Sequence, residues 1–331
     1  MFQQKRKTIL DAIFDIKNRD FNEVALSVFH FQYEYNAIYK SFIELLKINP
    51  KEISFWRDIP FLPVQFFKKY EVKTGDWQAE TVFTSSGTTG QITSQHFVND
   101  VDFYVKNTVL GFEKFYGEIE NYCVLALLPS YLERSGSSLV VMSDEFIKRS
   151  KYAESGFFLD DYEKLITQLV DNQRNKIPTL LLGVTFALLD LAERYETDLS
   201  NIIIMETGGM KGRRKEITRA EFHSILMKKF NIQVVHSEYG MTELCSQGYS
   251  KGNGIFYPCD TLKIVTKEIN DPFATQVFAK NGVVNIVDLA NLDSCAFIAT
   301  EDVGVVYEDE SFEIKGRLDA SEMRGCNLMV E

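Results

Sequence analysis

Across the first 48 residues the apolar positions recur at helical spacing. Ile9, Ala12, Ile13 and Ile16 fall on one face, as do Val24, Leu26, Val28 and Phe29 and, further on, Ile43, Leu45 and Leu46. Asn18-Arg19-Asp20 interrupts the pattern, and Asp20 has the short oxygen-bearing side chain of an N-cap. Residues 1–48 are therefore predicted to form a lead-in of two packing helices. The two prolines of Ile59–Lys68 hold that stretch extended or turning. Thr81-Val82-Phe83 reads as the end of a buried strand, being β-branched and aromatic. From residue 93 strands and helices alternate. Strands are predicted at Thr93–Val98, Tyr122–Leu128, Thr179–Leu182, Ile202–Glu206 and Ile232–Val235. Helices are predicted at Val101–Tyr116, around Leu159–Leu169, at Thr185–Tyr195 and at Arg219–Phe230. Beyond residue 255 the pattern shortens to strands at Thr261–Val265, Val283–Asp288, Val303–Tyr307 and Phe312–Ile314. The alternation predicts an α/β fold with a largely parallel sheet and flanking helices, and the tail predicts an appended antiparallel, β-rich C-terminal portion.

Composition narrows the class. A formal net charge of −11 leaves no general basic face for nucleic acid or an anionic membrane, so neither partner is expected. Met1–Asn18 lacks the continuous apolar core of a signal peptide. The longest apolar runs, Tyr122–Pro129 and Pro178–Leu191, are too short or too interrupted to span a bilayer, so no membrane insertion is expected. The cysteines, Cys123, Cys245, Cys259, Cys295 and Cys326, form no C-x-x-C pair. Without a secretion signal they point to a reduced, cytoplasmic chain with no disulfide framework. His30, His96, His223 and His236 have no zinc-ligand spacing to a cysteine.

The chemistry concentrates in loops that follow strands, where open α/β sheets bind ligands. Thr84-Ser85-Ser86-Gly87-Thr88-Thr89-Gly90 has almost no bulk and several hydroxyls. Glycine lets backbone N–H groups turn toward one point and the hydroxyls add donors, which suits a polyphosphate whose oxygens accept. It is not a Walker loop, since no lysine follows Gly90. A Ser/Thr/Gly-rich surface turn is the alternative. Glu206-Thr207-Gly208-Gly209-Met210-Lys211-Gly212 follows another strand, with two glycines permitting close approach to a flat ring and Lys211, Arg213, Arg214 and Lys215 adding charge. A solvated basic turn would look the same. Ser237-Glu238-Tyr239-Gly240-Met241-Thr242-Glu243 lies about 150 residues beyond the first of these loops, after the apolar, strand-like run Ile232–Val235.

The order T-S-S-G-T-T-G and then Y-G-M-T-E resembles the adenylate-forming superfamily of acyl-CoA synthetases, luciferases and peptide-synthetase adenylation domains. That resemblance implies ATP and Mg²⁺ as cofactors. It implies that Thr84 to Gly90 hold the phosphates, that Gly208 and Gly209 line the adenine pocket, and that Tyr239, followed by Gly240, Met241 and Thr242, stacks on adenine. Glu243 would then hold Mg²⁺, a hard cation suited to one carboxylate plus phosphate oxygens. A helix N-terminal turn with a solvated glutamate is the bland alternative. Thr300-Glu301-Asp302 resembles the T-G-D element whose aspartate binds ribose hydroxyls, with glutamate in place of glycine, and an exposed acidic turn is its alternative. Gly316-Arg317-Leu318-Asp319 resembles the G-R-x-D hinge, giving Arg317 a ribose or phosphate contact.

The finer pattern is most similar to the LuxE-type acyl-protein synthetases, the long-chain-fatty-acid–protein ligases of the luciferase operon. The matching parts are F-L-P-x-x-F-F-K at 61–68, F-T-S-S-G-T-T-G at 83–90, E-T-G-G-x-K-G at 206–212, E-Y-G-M-T-E at 238–243, and T-E-D and R-G-C near the end. The resemblance implies a domain over residues 1–315 and a hinge-like tail over 316–331. It implies that a fatty acid and ATP give an acyl-adenylate, and that the acyl group passes to Cys326 and onward to a partner such as an acyl reductase. The chain departs from general adenylating enzymes in lacking proline-lysine-glycine after Gly90 and a histidine after Leu128-Pro129. It also stops at Glu331, just past the hinge, so the mobile C-terminal domain with its adenylation lysine is expected to be largely missing. Lys211, Arg213 and Lys315 are the candidate replacements. Two other readings stay open: an acid–CoA ligase resembling phenylacetate–CoA ligase, and a non-catalytic nucleotide-binding subunit that kept the fold.

Overall fold

The computed structural model describes residues 1–85, 92–129, 136–208 and 217–318. In chain order the elements are α1 (Phe2–Phe14), α2 (Phe21–Tyr35), α3 (Ala37–Leu45), β1 (Leu62–Pro63), α4 (Phe66–Lys69), β2 (Thr81–Thr84), β3 (Gln95–Val98), α5 (Val101–Tyr116), β4 (Cys123–Leu127), α6 (Ser138–Arg149), β5 (Gly156–Phe158) and α7 (Tyr162–Asn175). They continue with β6 (Thr179–Val184), α8 (Thr185–Arg194), β7 (Ile202–Thr207), α9 (Arg219–Phe230), β8 (His236–Tyr239), β9 (Gly248–Ser250), β10 (Tyr257–Pro258), β11 (Leu262–Glu268), β12 (Asp271–Thr275), β13 (Gly282–Asp288), β14 (Phe297–Val306) and β15 (Phe312–Arg317). They divide into two compact units, one from Ala79 to Cys259 and one from Met1–Gln78 with the segment from Asp260 on.

The Ala79–Cys259 unit is built on the sheet β10-β9-β8-β7-β6-β4-β5. Its strands from β8 to β5 run parallel, while β9 and β10 are antiparallel. Strand β4 is buried along its whole length, which is why Cys123–Leu127 shows no polar alternation. Successive residues of a strand point to opposite faces, and the core divides accordingly. Leu181 and Ile204 pack with Leu165 and Leu169 of α7, Leu188 of α8 and Leu226 of α9. Leu180, Leu182 and Met205 join Phe112 of α5 and Phe146 of α6 on the other side. Strands β2 and β3 form a separate antiparallel hairpin.

In the other unit β11, β12, β13, β14 and β15 are antiparallel, and β1 joins β14 in parallel. The antiparallel C-terminal portion read from the sequence is therefore present. The lead-in differs in one respect: its second apolar stripe is split between α2 and α3. Asn36 ends one helix and caps the next, its side chain accepting from Tyr39 N at 2.9 Å. The same amide donates to Ser294 O at 2.9 Å and to Thr74 Oγ1 at 3.3 Å. Leu45, expected on the packed face, is 81% exposed, because α3 ends there and the chain turns through Lys47 at φ 57°. Asp20 caps α2 as expected, accepting from Glu23 N at 2.9 Å. Asn36→Ala removes a cap and leaves buried groups unpaired, so it should lower stability by about 2–3 kcal/mol in urea unfolding. A loss below half a kilocalorie would mean solvent replaces those bonds.

Candidate active site

Because β4, β6, β7 and β8 are parallel and in register, their carboxyl ends lie along one edge of the sheet. Leu127 pairs Gly183, Val184 pairs Thr207, and Thr207 pairs Glu238. The chain leaving β7 opens with Gly208 at φ 73°, a left-handed conformation that suits glycine. Thr185 Oγ1 donates to Gly208 O at 2.6 Å and anchors the start of that segment.

One sequence expectation changes here. The strand predicted at Ile232–Val235 lies at His236–Tyr239 instead. Asn231, in the left-handed conformation at φ 50°, ends α9, and the intervening apolar residues Ile232 and Val235 pack into the helical side of the core without entering the ladder. Ser237, Glu238 and Tyr239 are thus strand residues. Only Gly240 to Glu243 form the turn, closed by Leu244 N donating to Met241 O at 3.1 Å. Glu243 sits on that turn and is 5% exposed, so neither a helix N-terminus nor a solvated side chain describes it. The Tyr239 ring is buried, stands edge-on to Phe256 at 6.0 Å, and directs its hydroxyl to Met241 Sδ at 3.7 Å.

The Thr84–Gly90 stretch leaves from the β2–β3 hairpin. Thr84 and Ser85 are described; Ser86, Gly87, Thr88, Thr89 and Gly90 lie outside the described residues. The flanks are held from two sides. Thr84 N donates to Gly136 O at 2.7 Å, and Gly136 comes so close to Val82 that a β-carbon there would meet its carbonyl at 2.4 Å. Ser85 N donates to Ser94 O at 3.1 Å while Ser85 Oγ accepts from Ser94 N at 2.9 Å. The hairpin is also tied to the Gly240–Glu243 turn. His96, buried on β3, contacts Thr242 O through Nδ1 at 2.9 Å, and since a carbonyl only accepts, Nδ1 carries the proton. Its ring also meets Phe83 edge-on at 6.2 Å. Behind the turn, Asn107 of α5 donates to Cys245 O at 2.9 Å and to Ser246 Oγ at 3.1 Å.

His96 and Asn107 were not read as functional from the sequence, since each belongs to an element read as packing, and Glu238 was read as part of the Ser237–Glu243 run with no role of its own. Glu238 is buried on β8 and accepts from Thr207 Oγ1 on β7. Burial, with the neighbouring Glu206 carboxylate adding to it and the Thr207 bond opposing, pushes its carboxyl up to about 7. Glu206 points to the other face, where Arg219 Nε approaches at 3.2 Å and His223 Nε2 at 3.7 Å.

Asp302 and Arg317 belong to the other unit. Thr300-Glu301-Asp302 is not an exposed turn: it lies within β14, and Asp302 is buried. Asp302 pairs with Arg317 across β14 and β15, Arg317 Nε donating to Asp302 Oδ1 at 2.9 Å. Lys315 is ion-paired with Glu313. Gly209, Lys211, Arg213 and Cys326 lie outside the described residues. Cys123, Cys245, Cys259 and Cys295 are buried, and burial pushes the Cys295 thiol up to about 12. Among the described residues no three His, Cys, Asp or Glu side chains form a metal cage. Magnesium held between one carboxylate and nucleotide phosphates needs none, and the buried Glu243 carboxyl beside the hairpin fits that donor chemistry. No described helix is long and apolar enough to cross a membrane.

No protein-family model matches the sequence, and no curated protein matches it. Solved structures do share the fold. MatB from Rhodopseudomonas palustris with ATP bound superposes at a TM-score of 0.55 and 14% identity, over 73% of this chain and 49% of that one. The chain thus spans about half the length of MatB. 2-Hydroxyisobutyryl-CoA ligase with 2-HIB-AMP in the postadenylation state gives 0.68 at 11% identity, over 90% of this chain and 68% of that one. The same ligase with 2-HIB-AMP and CoA in the thioesterification state gives 0.66 at 13% identity, over 96% and 69%. The chain shares its fold with these ligases.

Proposed function

We propose that this protein activates a carboxylic acid, a fatty acid in the first instance, as its acyl-adenylate and passes the acyl group to a thiol. The thiol is Cys326, and a partner such as an acyl reductase is the onward acceptor, as in the LuxE-type acyl-protein synthetases. The single observation that carries this reading is the 2.9 Å contact between His96 and Thr242 O. It joins the hairpin that bears Thr84 and Ser85 to the turn that follows Tyr239 and bears Glu243, which supports reading two segments far apart in sequence as parts of one site. The shared fold with ligases solved with ATP or an acyl-AMP supports the same reading.

A carboxylate is a poor electrophile. In the proposed first step its oxygen attacks the α-phosphorus of ATP, the bond to the bridging oxygen breaks, and pyrophosphate leaves. Thr84, Ser85, Ser86, Thr88 and Thr89, with the backbone freed by Gly87 and Gly90, donate to the phosphates. Gly208 and Gly209 would line the adenine pocket and the Tyr239 ring would stack on adenine, and the family resemblance assigns Asp302 and Arg317 to the ribose. Glu243 would hold Mg²⁺, which when bound offsets phosphate charge. Lys211 supplies the cation at the α-phosphate. In the second step the Cys326 thiolate attacks the acyl carbon and AMP leaves.

Pyrophosphate exchange across a panel of acids, with intact-protein mass measured in parallel, tests the whole scheme. Acid-dependent exchange with a gain of one acyl mass is expected. Exchange with no acyl-protein, but free acyl-CoA when CoA is added, would replace it by an acid–CoA ligase, the reading that the CoA-bound neighbour favours. ATP binding with no exchange for any acid would leave a non-catalytic nucleotide-binding subunit. A narrower check concerns the loop: Thr88→Val should weaken ATP binding by about 1–3 kcal/mol, the worth of a hydrogen bond to a charged group, with fold stability unchanged. Unaltered affinity would remove Thr88 from the phosphate site.

A further inference from the structure

We propose that Glu238 is a positioning residue that works in its neutral form, holding Tyr239 and the Gly240–Glu243 turn against the β7 edge, so that its ionisation releases nucleotide. This rests on the reading of that turn as part of the ATP site.

The argument begins with geometry. Glu238 and Thr207 are register partners on adjacent parallel strands, each the last or next-to-last residue before its strand ends. Thr207 precedes the Gly208-Gly209 segment, and Glu238 precedes Tyr239. Their side-chain hydrogen bond therefore joins the roots of the two segments assigned to adenine. The Glu238 carboxyl also folds over the turn itself. A β-carbon on Gly240 would lie 2.5 Å from Glu238 Oε1 and 3.7 Å from Gln247 Cγ, so Gly240 is the residue that lets the carboxyl and the turn share this space. The turn cannot shift without disturbing the carboxyl, and the reverse holds as well.

The surroundings make charge on this carboxyl costly. From β7 it faces the Thr207 hydroxyl, and the Glu206 carboxylate adds repulsion from that strand. From β9 its register partner is Tyr249, a fully buried phenol whose hydroxyl has no hydrogen-bond partner, followed outward by Tyr104 and Tyr116 of α5 and Cys259. Gln247, with an unpartnered buried Oε1, flanks the same turn. The cations near Glu206, Arg219 and the ionisable His223, approach it on the opposite face of the sheet. Among the described residues no positive charge offsets the burial of the Glu238 carboxyl, and its shift to about 7 follows.

The sign is fixed by that direction. A carboxyl held protonated by the fold contributes its stability below the ordinary carboxylate range, and that stability is lost as pH rises through about 7. The same rise should loosen the turn. MgATP affinity of the wild-type protein should then fall above pH 7, approaching tenfold per pH unit for a single ionisation that abolishes binding. Glu238→Gln is an isosteric stand-in for the neutral acid. It should bind MgATP at pH 8.5 as the wild type does at pH 6, and should unfold at a higher temperature than the wild type at pH 8.5 but not at pH 5.5. Thr207→Val, which removes the partner without adding charge, should weaken binding at every pH. Both binding and acid-dependent pyrophosphate exchange are to be followed from pH 5.5 to 9. A limb above pH 7 that persists in Glu238→Gln, or its absence from the wild type, overturns the proposal. Binding that follows the proposed pattern without any exchange would uphold this role and sink the acyl-activation reading. Exchange with no change between Glu238 and Gln would do the opposite, and absence of MgATP binding at all pH values would end both.

Discussion

Glu243→Gln should abolish most acid-dependent pyrophosphate exchange while the protein remains folded. The neutral amide keeps the size and the hydrogen-bonding oxygen of the carboxylate but is a much weaker ligand for a hard cation. The side chain is buried on a turn whose backbone is pinned through Thr242 O to His96 and backed by Asn107 through Cys245 O, so the substitution should not reorganise the turn. A fall in exchange of about a hundredfold or more, the scale of removing one electrostatic element from a reacting centre, is expected at limiting Mg²⁺. Partial recovery at high Mg²⁺ would agree with a weakened metal site. Exchange near the wild-type level at limiting Mg²⁺, with unchanged unfolding, would assign Glu243 to structure and remove the metal role.

The second large effect concerns the thiol. Incubation with ATP, Mg²⁺ and the right acid should add one acyl mass, removable by neutral hydroxylamine, and Cys326→Ser should lose that thioester but keep adenylate formation. Cys326 is preceded by Gly325, a residue type with wide backbone freedom, which suits a thiol that must reach the adenylate and then a partner. Arg324, its near neighbour in sequence, would favour the thiolate, which is the nucleophile. The other four cysteines are buried, and burial raises Cys123 and Cys295 above the ordinary thiol range, which suppresses the thiolate. Serine in place of Cys326 leaves the phosphate and adenine machinery untouched, so pyrophosphate exchange should stay within about threefold of wild type, below 1 kcal/mol. A thioester that persists in Cys326→Ser, or that maps to Cys245 or Cys259, would sink the assignment and leave the acyl acceptor to be sought elsewhere.

The sequence by itself determined the architecture wherever burial is one-sided or complete. Val101–Tyr116 and Arg219–Phe230 form the predicted helices with the same bounds, because a helix must keep its apolar stripe against the sheet. The strands at Cys123–Leu127 and Thr179–Val184 were legible as unbroken apolar runs, since a central parallel strand is buried on both faces. Glycine, serine and threonine at 84–90 and the Y-G-M-T-E run were visible too, because their chemistry follows from residue type alone. Only the tertiary structure decided the rest. Strand β5, strands β9 and β10 and edge strand β12 had escaped the pattern, being short or exposed, and pairing rather than local preference makes them, while helix α6 escaped it through its mixed polarity and is held by the Ser137 cap and the packing of Met142 and Phe146. Val235 looked like strand and is not, whereas Ser237 and Glu238 looked like loop and are strand, because the ladder to β7 begins at Met205 and His236. His96 touches Thr242 across 146 residues, and Thr207 bonds Glu238 across 31. Asp302 is an acidic residue in a polar triplet by sequence, but the register of β14 on β15 buries it opposite Arg317. Contacts of that kind depend on which strands become neighbours, a choice made by the whole core at once and carried by no single stretch of the chain.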